Sequence, residues 1–187
     1  MPTISARVIA SADDASEKED TGVVTLTAIT VTSQAASTAA NRHWAAFRFV
    51  LSGITMRDTI NDAIITIYYS KTPPIDVDIH FQLAASPVAF TTTTNDIQNR
   101  TRTTAKVTWT DTALDLSGQN SPSLVGVLQE VVNAYTPTSF VVIFKPRTIS
   151  TVTCPITAFD SGGGSSVYAM LTIIYNPRER IHIASTP

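Results

Sequence analysis

Apolar and polar residues alternate along most of this chain, which is the pattern of β-strands with one buried face. Residues 76–83 are the clearest case, because four apolar positions there alternate with Asp76, Asp78, His80 and Gln82. Comparable patterns predict further strands at 23–32, 44–51, 63–69, 101–109, 140–144, 154–159 and 167–175. No regular alternation of strands with helices runs through the chain, so the pattern favours an antiparallel all-β sandwich.

One segment has helical spacing instead. Between residues 121 and 135 the apolar positions recur three or four residues apart, at Leu124, Val127, Leu128, Val131 and Tyr135. Ser121 stands where a helix N-cap belongs, and Pro122 occupies the first helical position. A single short amphipathic helix is therefore predicted.

The two ends differ from the segment between them. Residues 1–22 combine a short apolar lead with a dense acidic stretch that has no aromatic residue, which predicts an N-terminal arm. Residues 177–187 form a predicted C-terminal tail whose apolar and basic residues alternate, a pattern that suits adding a strand to an exposed sheet edge. The sandwich domain is thus predicted at 23–176, and the candidate assembly contacts of the arms are Ile4, Val8, Ile181 and Ile183.

Composition restricts the classes of function. Charged residues are 15% of the chain, well below the roughly 25% of an average soluble protein. This low charge favours an assembly in which much of the surface is covered. The net charge of -2 predicts no nucleic-acid partner. The sequence has no run of 18 apolar residues, so no membrane span is predicted. The N-terminus also has no apolar signal core, so we expect synthesis in a cytoplasm without general secretion.

The sequence carries no recognisable catalytic or metal-binding motif. Cys154 is the single cysteine, so no intrachain disulfide forms. The histidines lack a nucleophile context, and His80 is expected on a solvated strand face. Asp76 and Asp78 form either the polar face of a strand or, with a neighbouring loop, a weak cation site. We therefore predict no cofactor, no metal and no enzymatic activity.

The order of several motifs resembles a known family. An "FRF" strand is followed by "DAIITIYY", "TRTTAKVTW", the helix "LVGVLQEVVNAY" and a final "YAMLTIIY" strand. Over residues 40–176 this order resembles the DNRLRE-type, carbohydrate-binding-module-like jelly rolls, including versions found in bacteriophage structural proteins. The resemblance implies an antiparallel jelly-roll β-sandwich with one short helix and extended terminal arms. It implies an accessory binding or structural role and brings no catalytic residues with it.

The expected function follows from this resemblance and from the low charge. We expect a virion structural protein, a bacteriophage capsid decoration (cement) protein made in the host cytoplasm and placed on the capsid surface. Its expected partners are copies of itself, as dimers or trimers, and the major capsid protein. A carbohydrate-binding module of a phage fibre or surface protein, and a tail or neck component, remain as alternatives.

Four residues are candidates for contact with a ligand or partner. Trp44 and Trp109 are of the type that stacks on sugar rings, although packing in the core explains them better. Arg100 and Arg102 are of the type that binds partner carboxylates in a bidentate manner, with ordinary surface solvation as the alternative.

Overall fold

The computed structural model describes residues 1–28, 30–69, 74–111, 118–148, 152–162 and 164–178. These residues form twelve strands and one α-helix. The strands are β1 (Thr3–Arg7), β2 (Asp14–Lys18), β3 (Val24–Thr25), β4 (Thr30–Ala35), β5 (His43–Val50), β6 (Thr59–Ile67), β7 (Ile75–Phe81), β8 (Val107–Asp111), β9 (Gln119–Asn120), β10 (Ser139–Pro146), β11 (Val152–Thr157) and β12 (Met170–Asn176), and the helix is α1 (Val125–Ala134).

The strands make two sheets, and every pairing in them is antiparallel. The smaller sheet has the order β1-β12-β6-β9, and the larger one has the order β11-β4-β5-β10-β7-β8. The hairpin of β2 and β3 adds to the larger sheet through pairing of β2 with β5, from Asp14↔Phe47 to Lys18↔His43. The predicted antiparallel β-sandwich with one short helix is confirmed.

The main core lies between the sheets and is rich in phenylalanine. Phe144 is its centre, because Phe47 and Trp109 both pack edge-on against its ring, with centroids 5.5 and 6.1 Å away. This edge-to-face geometry suits the quadrupoles of aromatic rings and adds to the stabilisation from burial. Strands β4 and β11 face β7 across this core, so the larger sheet bends round it.

The larger sheet is buried on its outer face as well. Alternate residues of β5 and β10 point away from the main core into a second cluster, which we call the outer cluster. Its members are Ala15, Val24, Trp44, Ala46, Phe90, Ile97, Val141 and Ile143. The β2–β3 hairpin and the irregular segment 84–106 supply the covering residues, so the uninterrupted apolar run at 140–144 reflects a strand covered on both sides.

The structure overturns the expectation for the polar side of 76–83. Asp76, Asp78 and His80 are all buried, so this face of β7 is not solvated. Arg147 Nη1 donates to Asp76 Oδ1 at 2.8 Å, and Lys106 Nζ donates to Asp78 Oδ2 at 2.7 Å. Burial raises the pKa of Asp78, but the hydrogen bonds and charge of its neighbours outweigh burial and leave that pKa lowered. The two aspartates are therefore held as ion pairs in the fold.

The predicted N-terminal arm is also wrong, because residues 3–7 and 14–18 are strands of the two sheets. Strand β1 pairs with β12 from Thr3↔Ile174 to Arg7↔Met170, and Val8 is buried in the main core. The acidic stretch is ordered because its charges find partners elsewhere in the chain. Glu17, for example, accepts hydrogen bonds from the backbone N–H groups of Ile97 and Gln98.

Three element boundaries differ from the predictions for local reasons. The segment 23–32 divides into β3 and β4, and of 101–109 only the end lies in a strand, β8. Helix α1 starts at Val125, later than the predicted 122, because Ser121 is used elsewhere: its Oγ accepts the N–H of Ile65 in β6. The C-terminal tail is described only at Pro177 and Arg178, and its remainder lies outside the described residues.

Candidate functional site

The two tryptophans lie inside the fold. Trp109 is 5% exposed and packs in the main core, and Trp44 is 4% exposed in the outer cluster. The indole Nε1 of Trp44 donates to Glu19 Oε2 at 2.9 Å, while Glu19 also forms an ion pair with Arg42. Neither ring presents a face for stacking on a sugar, so core packing is confirmed as the better interpretation of both.

The two candidate arginines fasten the irregular cover of the larger sheet. Arg100 is buried, forms an ion pair with Asp96, and donates to the backbone carbonyls of Val88 and Ala89. Its guanidinium carbon lies 4.4 Å from the centre of the Phe90 ring. These interactions engage the Arg100 side chain within its own chain.

Arg102 covers the indole of Trp44 in a similar way. Its guanidinium carbon is 4.9 Å from the ring centre, and Nη1 donates to the carbonyl of Gln98 at 2.8 Å. The ammonium of Lys145 lies 5.9 Å from the same ring. The cationic groups thus contribute cation–π interactions to the outer cluster.

The candidate arm residues fall into two groups. Ile4 is partly buried against the main core from β1, and Val8 is fully buried there. Both side chains therefore stabilise the domain without a partner subunit. Ile181 and Ile183 lie outside the described residues.

The structure assembles a surface that the sequence did not predict, and we call it the end surface. It consists of the loops 51–58, 84–88 and 136–138, together with Val50 at the end of β5. Within these described loops Arg57 is the single exposed charged residue. Three apolar side chains stand out from it: Val50 is 49% exposed, Met56 is 41% exposed and Val88 is 69% exposed.

Hydrogen bonds join the three loops into one structure around residues 136–139. Thr138 N donates to the Ala85 carbonyl at 3.1 Å, and its own carbonyl accepts the N–H of Leu51. Ser139, which pairs with Val50, donates from Oγ to the carbonyl of Pro87 at 2.8 Å. The exposed Val88 is therefore tied to the strand end that carries Val50.

The turn that carries Met56 is equally well fixed. Asp58 accepts the N–H of Thr55 at 2.7 Å, and Arg57 N donates to the Val132 carbonyl of the helix at 2.8 Å. Met56 N donates to Thr136 Oγ1 at 3.0 Å. Arg57 has a φ of 71°, a left-handed conformation that few non-glycine residues adopt. The end surface is a preformed platform with little charge.

A second feature is a groove between the β2–β3 hairpin and β4. Strand β2 occupies the edge of β5 from Phe47 to His43, whereas β4 pairs with β5 only at Gln34↔His43, so the hairpin and β4 diverge. The resulting groove has a volume of about 540 Å³. Five of its nine described lining residues carry a hydroxyl group, and the lining comprises Ser16, Lys18, Thr21, Val23, Thr25, Ala28, Thr30, Thr32 and His43.

The groove has a simple electrostatic character. Burial lowers the pKa of His43, and the charge of Lys18 lowers it further, against the opposing effect of Asp20. His43 is therefore neutral at neutral pH and offers one donor and one acceptor. Lys18 is itself paired with Asp20 at 3.4 Å. Such a lining suits a neutral, hydroxyl-rich or amide-rich ligand.

The sequence did carry one signal for the groove. Threonine is frequent in the run at 23–32, and Thr25, Thr30 and Thr32 line the groove, but the run predicted a strand and not what these side chains border. No local signal marks the end surface, because its loops come together from three separate parts of the chain.

Comparison with known proteins adds no assignment. The sequence matches none of the protein-family models against which it was scanned, and the search of curated proteins also finds no match. Among the described residues, no group of three or more His, Cys, Asp or Glu side chains is arranged to hold a metal ion. No helix within the described part is long and apolar enough to cross a membrane. The surfaces described above are therefore the basis for a functional proposal.

Proposed function

We propose that this chain is a virion structural protein, a bacteriophage capsid decoration protein that stabilises the head lattice through contacts between subunits. The observation that carries the proposal is the end surface, a hydrogen-bonded platform with exposed Val50, Met56 and Val88 whose described loops hold one exposed charged residue, Arg57. Apolar side chains clustered on an ordered surface mark sites of protein contact. The motif order that resembles phage structural jelly rolls supports the virion context.

The distribution of charge supports the same proposal. Among the described residues, six Lys and Arg side chains form ion pairs with carboxylates of their own chain: Lys18, Arg42, Arg48, Arg100, Lys106 and Arg147. A chain with few charges, many of them paired internally, meets little desolvation cost when its surface docks on another protein.

The proposed partners are copies of this chain and the major capsid protein. Strand β1 is an edge strand of the smaller sheet, and residues 3–7 contain no proline and only one charged side chain, Arg7. Such an edge accepts an added strand readily. The tail, with Ile181 and Ile183, has the alternation that suits strand addition to a neighbouring subunit.

The docking role of the end surface is tested by introducing charge into it. Met56→Asp and Val88→Asp each place a carboxylate on the platform, and Val23→Asp is the matched control, since Val23 is also exposed but lies at the groove. Co-sedimentation with empty capsids of the encoding virus measures binding. We expect binding to fall at least tenfold for the first two variants and to stay unchanged for the control. All three should melt at about the wild-type temperature.

Wild-type protein that neither binds these capsids nor self-associates in sedimentation velocity would refute the assembly proposal. Binding that persists in both end-surface variants would refute the role of this surface alone. A density map of the particle separates the head from the neck and tail positions.

The groove favours a second candidate, carbohydrate binding. Its hydroxyl groups and neutral His43 fit the hydrogen-bonding groups of a sugar, but no Phe, Tyr or Trp is among its described lining residues. Isothermal titration with capsular or cell-wall oligosaccharides of the host tests this candidate. Micromolar affinity that is lost in Thr32→Val, with an unchanged melt, would place this function first.

A further inference from the structure

Asp14 is a buried carboxyl group with one unused oxygen. It begins β2 and is 1% exposed. Its Oδ2 accepts the backbone N–H of Phe159 at 2.8 Å. Its Oδ1 is buried and has no hydrogen-bond partner among the described residues.

Asp160, the residue after Phe159, has the same arrangement. Ser11 Oγ donates to Asp160 Oδ1 at 2.7 Å, while Asp160 Oδ2 is buried and has no partner within the described part of the chain. The two carboxyl groups are close enough for their charges to interact. Each therefore contributes one satisfied and one unsatisfied oxygen to the same contact, which joins residues 11–14 to the turn 159–161.

Two ionised carboxylates are costly in this position. A buried carboxylate oxygen without a donor loses its hydration, and a second like charge nearby adds repulsion. One proton removes both problems, because it cancels a charge and supplies a donor for an unsatisfied oxygen. Burial raises the pKa of Asp14 to about 7, against the hydrogen bond from Phe159, and the charges of Asp160 and Asp13 raise it further.

The other charged and titratable groups around this contact are already engaged. Asp13 is paired with Arg48 of β5 at 2.6 Å. Arg7 of β1 donates to the carbonyl of Tyr168, whose ring packs on Phe159. These groups therefore have interactions of their own and do not supply the missing donor.

We propose that the buried Asp14 carboxyl group holds a proton at neutral pH beside Asp160, and that this proton fastens the N-terminal segment 11–14 to the turn 159–161. Loss of the proton above neutral pH leaves two carboxylates that repel each other and releases the contact. The pair is thus a pH-sensitive latch, and the inference does not depend on the proposed function of the end surface.

The first test is direct titration of the side-chain carboxyl carbons by NMR in the intact protein. Asp14 is expected to titrate with a midpoint near 7 in the wild type, about three pH units above an ordinary aspartate. In Asp160→Asn the repulsion is gone and the amide N–H₂ can donate to Asp14, so the midpoint should move down. Asp62→Asn, at an exposed position of β6, is the matched control and should leave the midpoint unchanged.

The second test follows release of the contact through amide exchange of Phe159. If opening follows ionisation, the protection factor of this amide falls about tenfold between pH 6 and pH 8 in the wild type. It should stay level in Asp14→Asn, whose amide can accept from Phe159 and donate to Asp160 at either pH. Should Asp14→Asn fail to fold, the wild-type titration alone still decides the inference.

Two results would overturn the inference. One is an Asp14 midpoint near 4, which means that the pair carries two charges at neutral pH. The other is stabilisation of the wild type, but not of Asp14→Asn, by calcium chloride at pH 8, which means that the two carboxylates hold a cation in place of a proton.

Discussion

Gln129 of the helix completes the hydrogen bonding of a sheet edge, and its replacement by alanine is expected to destabilise the fold strongly. Strand β6 pairs with β9 only at Thr66 and Ile67, so most of its outer edge has no neighbouring strand in the described structure. The side chain of Gln129 substitutes for one. Its Oε1 accepts the N–H of Ile60 at 2.9 Å, and its Nε2 donates to the carbonyl of Asp58 at 3.0 Å.

The magnitude follows from what Gln129→Ala leaves behind. Ile60 is 3% exposed, so its N–H group cannot turn to water after the side chain is removed. An unsatisfied buried backbone group costs roughly 1–3 kcal/mol, and two groups lose their partner. We therefore expect a loss of about 3 kcal/mol in the free energy of unfolding, which lowers Tm by roughly 6–12 °C in a domain of this size.

Urea denaturation and amide exchange at Ile60 measure this effect together. Asn133→Ala is the matched control, because it removes only the third bond of Gln129, to Asn133 Oδ1, and should cost less than about 1 kcal/mol. Gln129→Glu should fall between the two, since it keeps the acceptor for Ile60 but loses the donor for Asp58. The reasoning is refuted if Gln129→Ala stays within about 0.5 kcal/mol of the wild type while Ile60 remains protected.

Three further predictions concern stability. The folded state holds the Asp14 proton to about pH 7 and the unfolded state loses it near 3.8, so the Asp14 contribution to stability falls as pH rises between these values. Over this pH range the free energy of unfolding should fall by up to roughly 4 kcal/mol less in Asp14→Asn than in the wild type. Curves of unfolding free energy against pH that run parallel for the two proteins would contradict this. Trp109→Ala should cost about 3–5 kcal/mol in urea denaturation because it empties a site beside Phe144, and a loss below 1 kcal/mol would exclude a core role. Deleting residues 1–9 should lower the melt of the free protein clearly, since β1 and Val8 are lost, and an unchanged melt would restore the arm interpretation.

The fold class could be predicted from the sequence because its signal is local. Period-two alternation places strands wherever one face is buried, and it located β5, β6, β7, β10, β11 and β12 within a few residues. The helix also appeared, although its start did not, since a serine that can cap a helix can equally accept a strand N–H. That choice depends on Ile65, which is 56 residues away from Ser121 along the chain.

The errors share one physical cause, which is that partners distant in sequence decide whether a charge is buried. The acidic residues at 13–20 predicted a solvated arm, but Arg48, Phe159 and Ile97 supply donors from three other parts of the chain. Asp76 and Asp78 predicted a polar surface, but Arg147, Lys106 and the hydroxyl groups of Thr108 and Thr110 in β8 engage them. The sequence pattern shows which residues are charged and not which ones meet, so the candidate arginines and the end surface could not be placed in advance.

The cover of the larger sheet explains where the few charges of this chain are used. Segment 84–106 contains no regular strand or helix, so its backbone takes hydrogen-bond partners from side chains as well as from the backbone of other segments. Glu17 accepts from Ile97 and Gln98, and Glu130 of the helix accepts the N–H groups at 104 and 105, both at 2.9 Å.

Charge-assisted bonds of this kind are stronger than neutral ones, so a small number of them can hold a long irregular segment. Because these charged side chains pair within the fold, few of them lie in the loops of the end surface. A chain with 15% charged residues that uses them in this way leaves Val50, Met56 and Val88 on described loops whose single exposed charged residue is Arg57. Internal use of charge is therefore the link between the low-charge composition and a surface suited to docking, and it is the reason why we place assembly ahead of ligand binding.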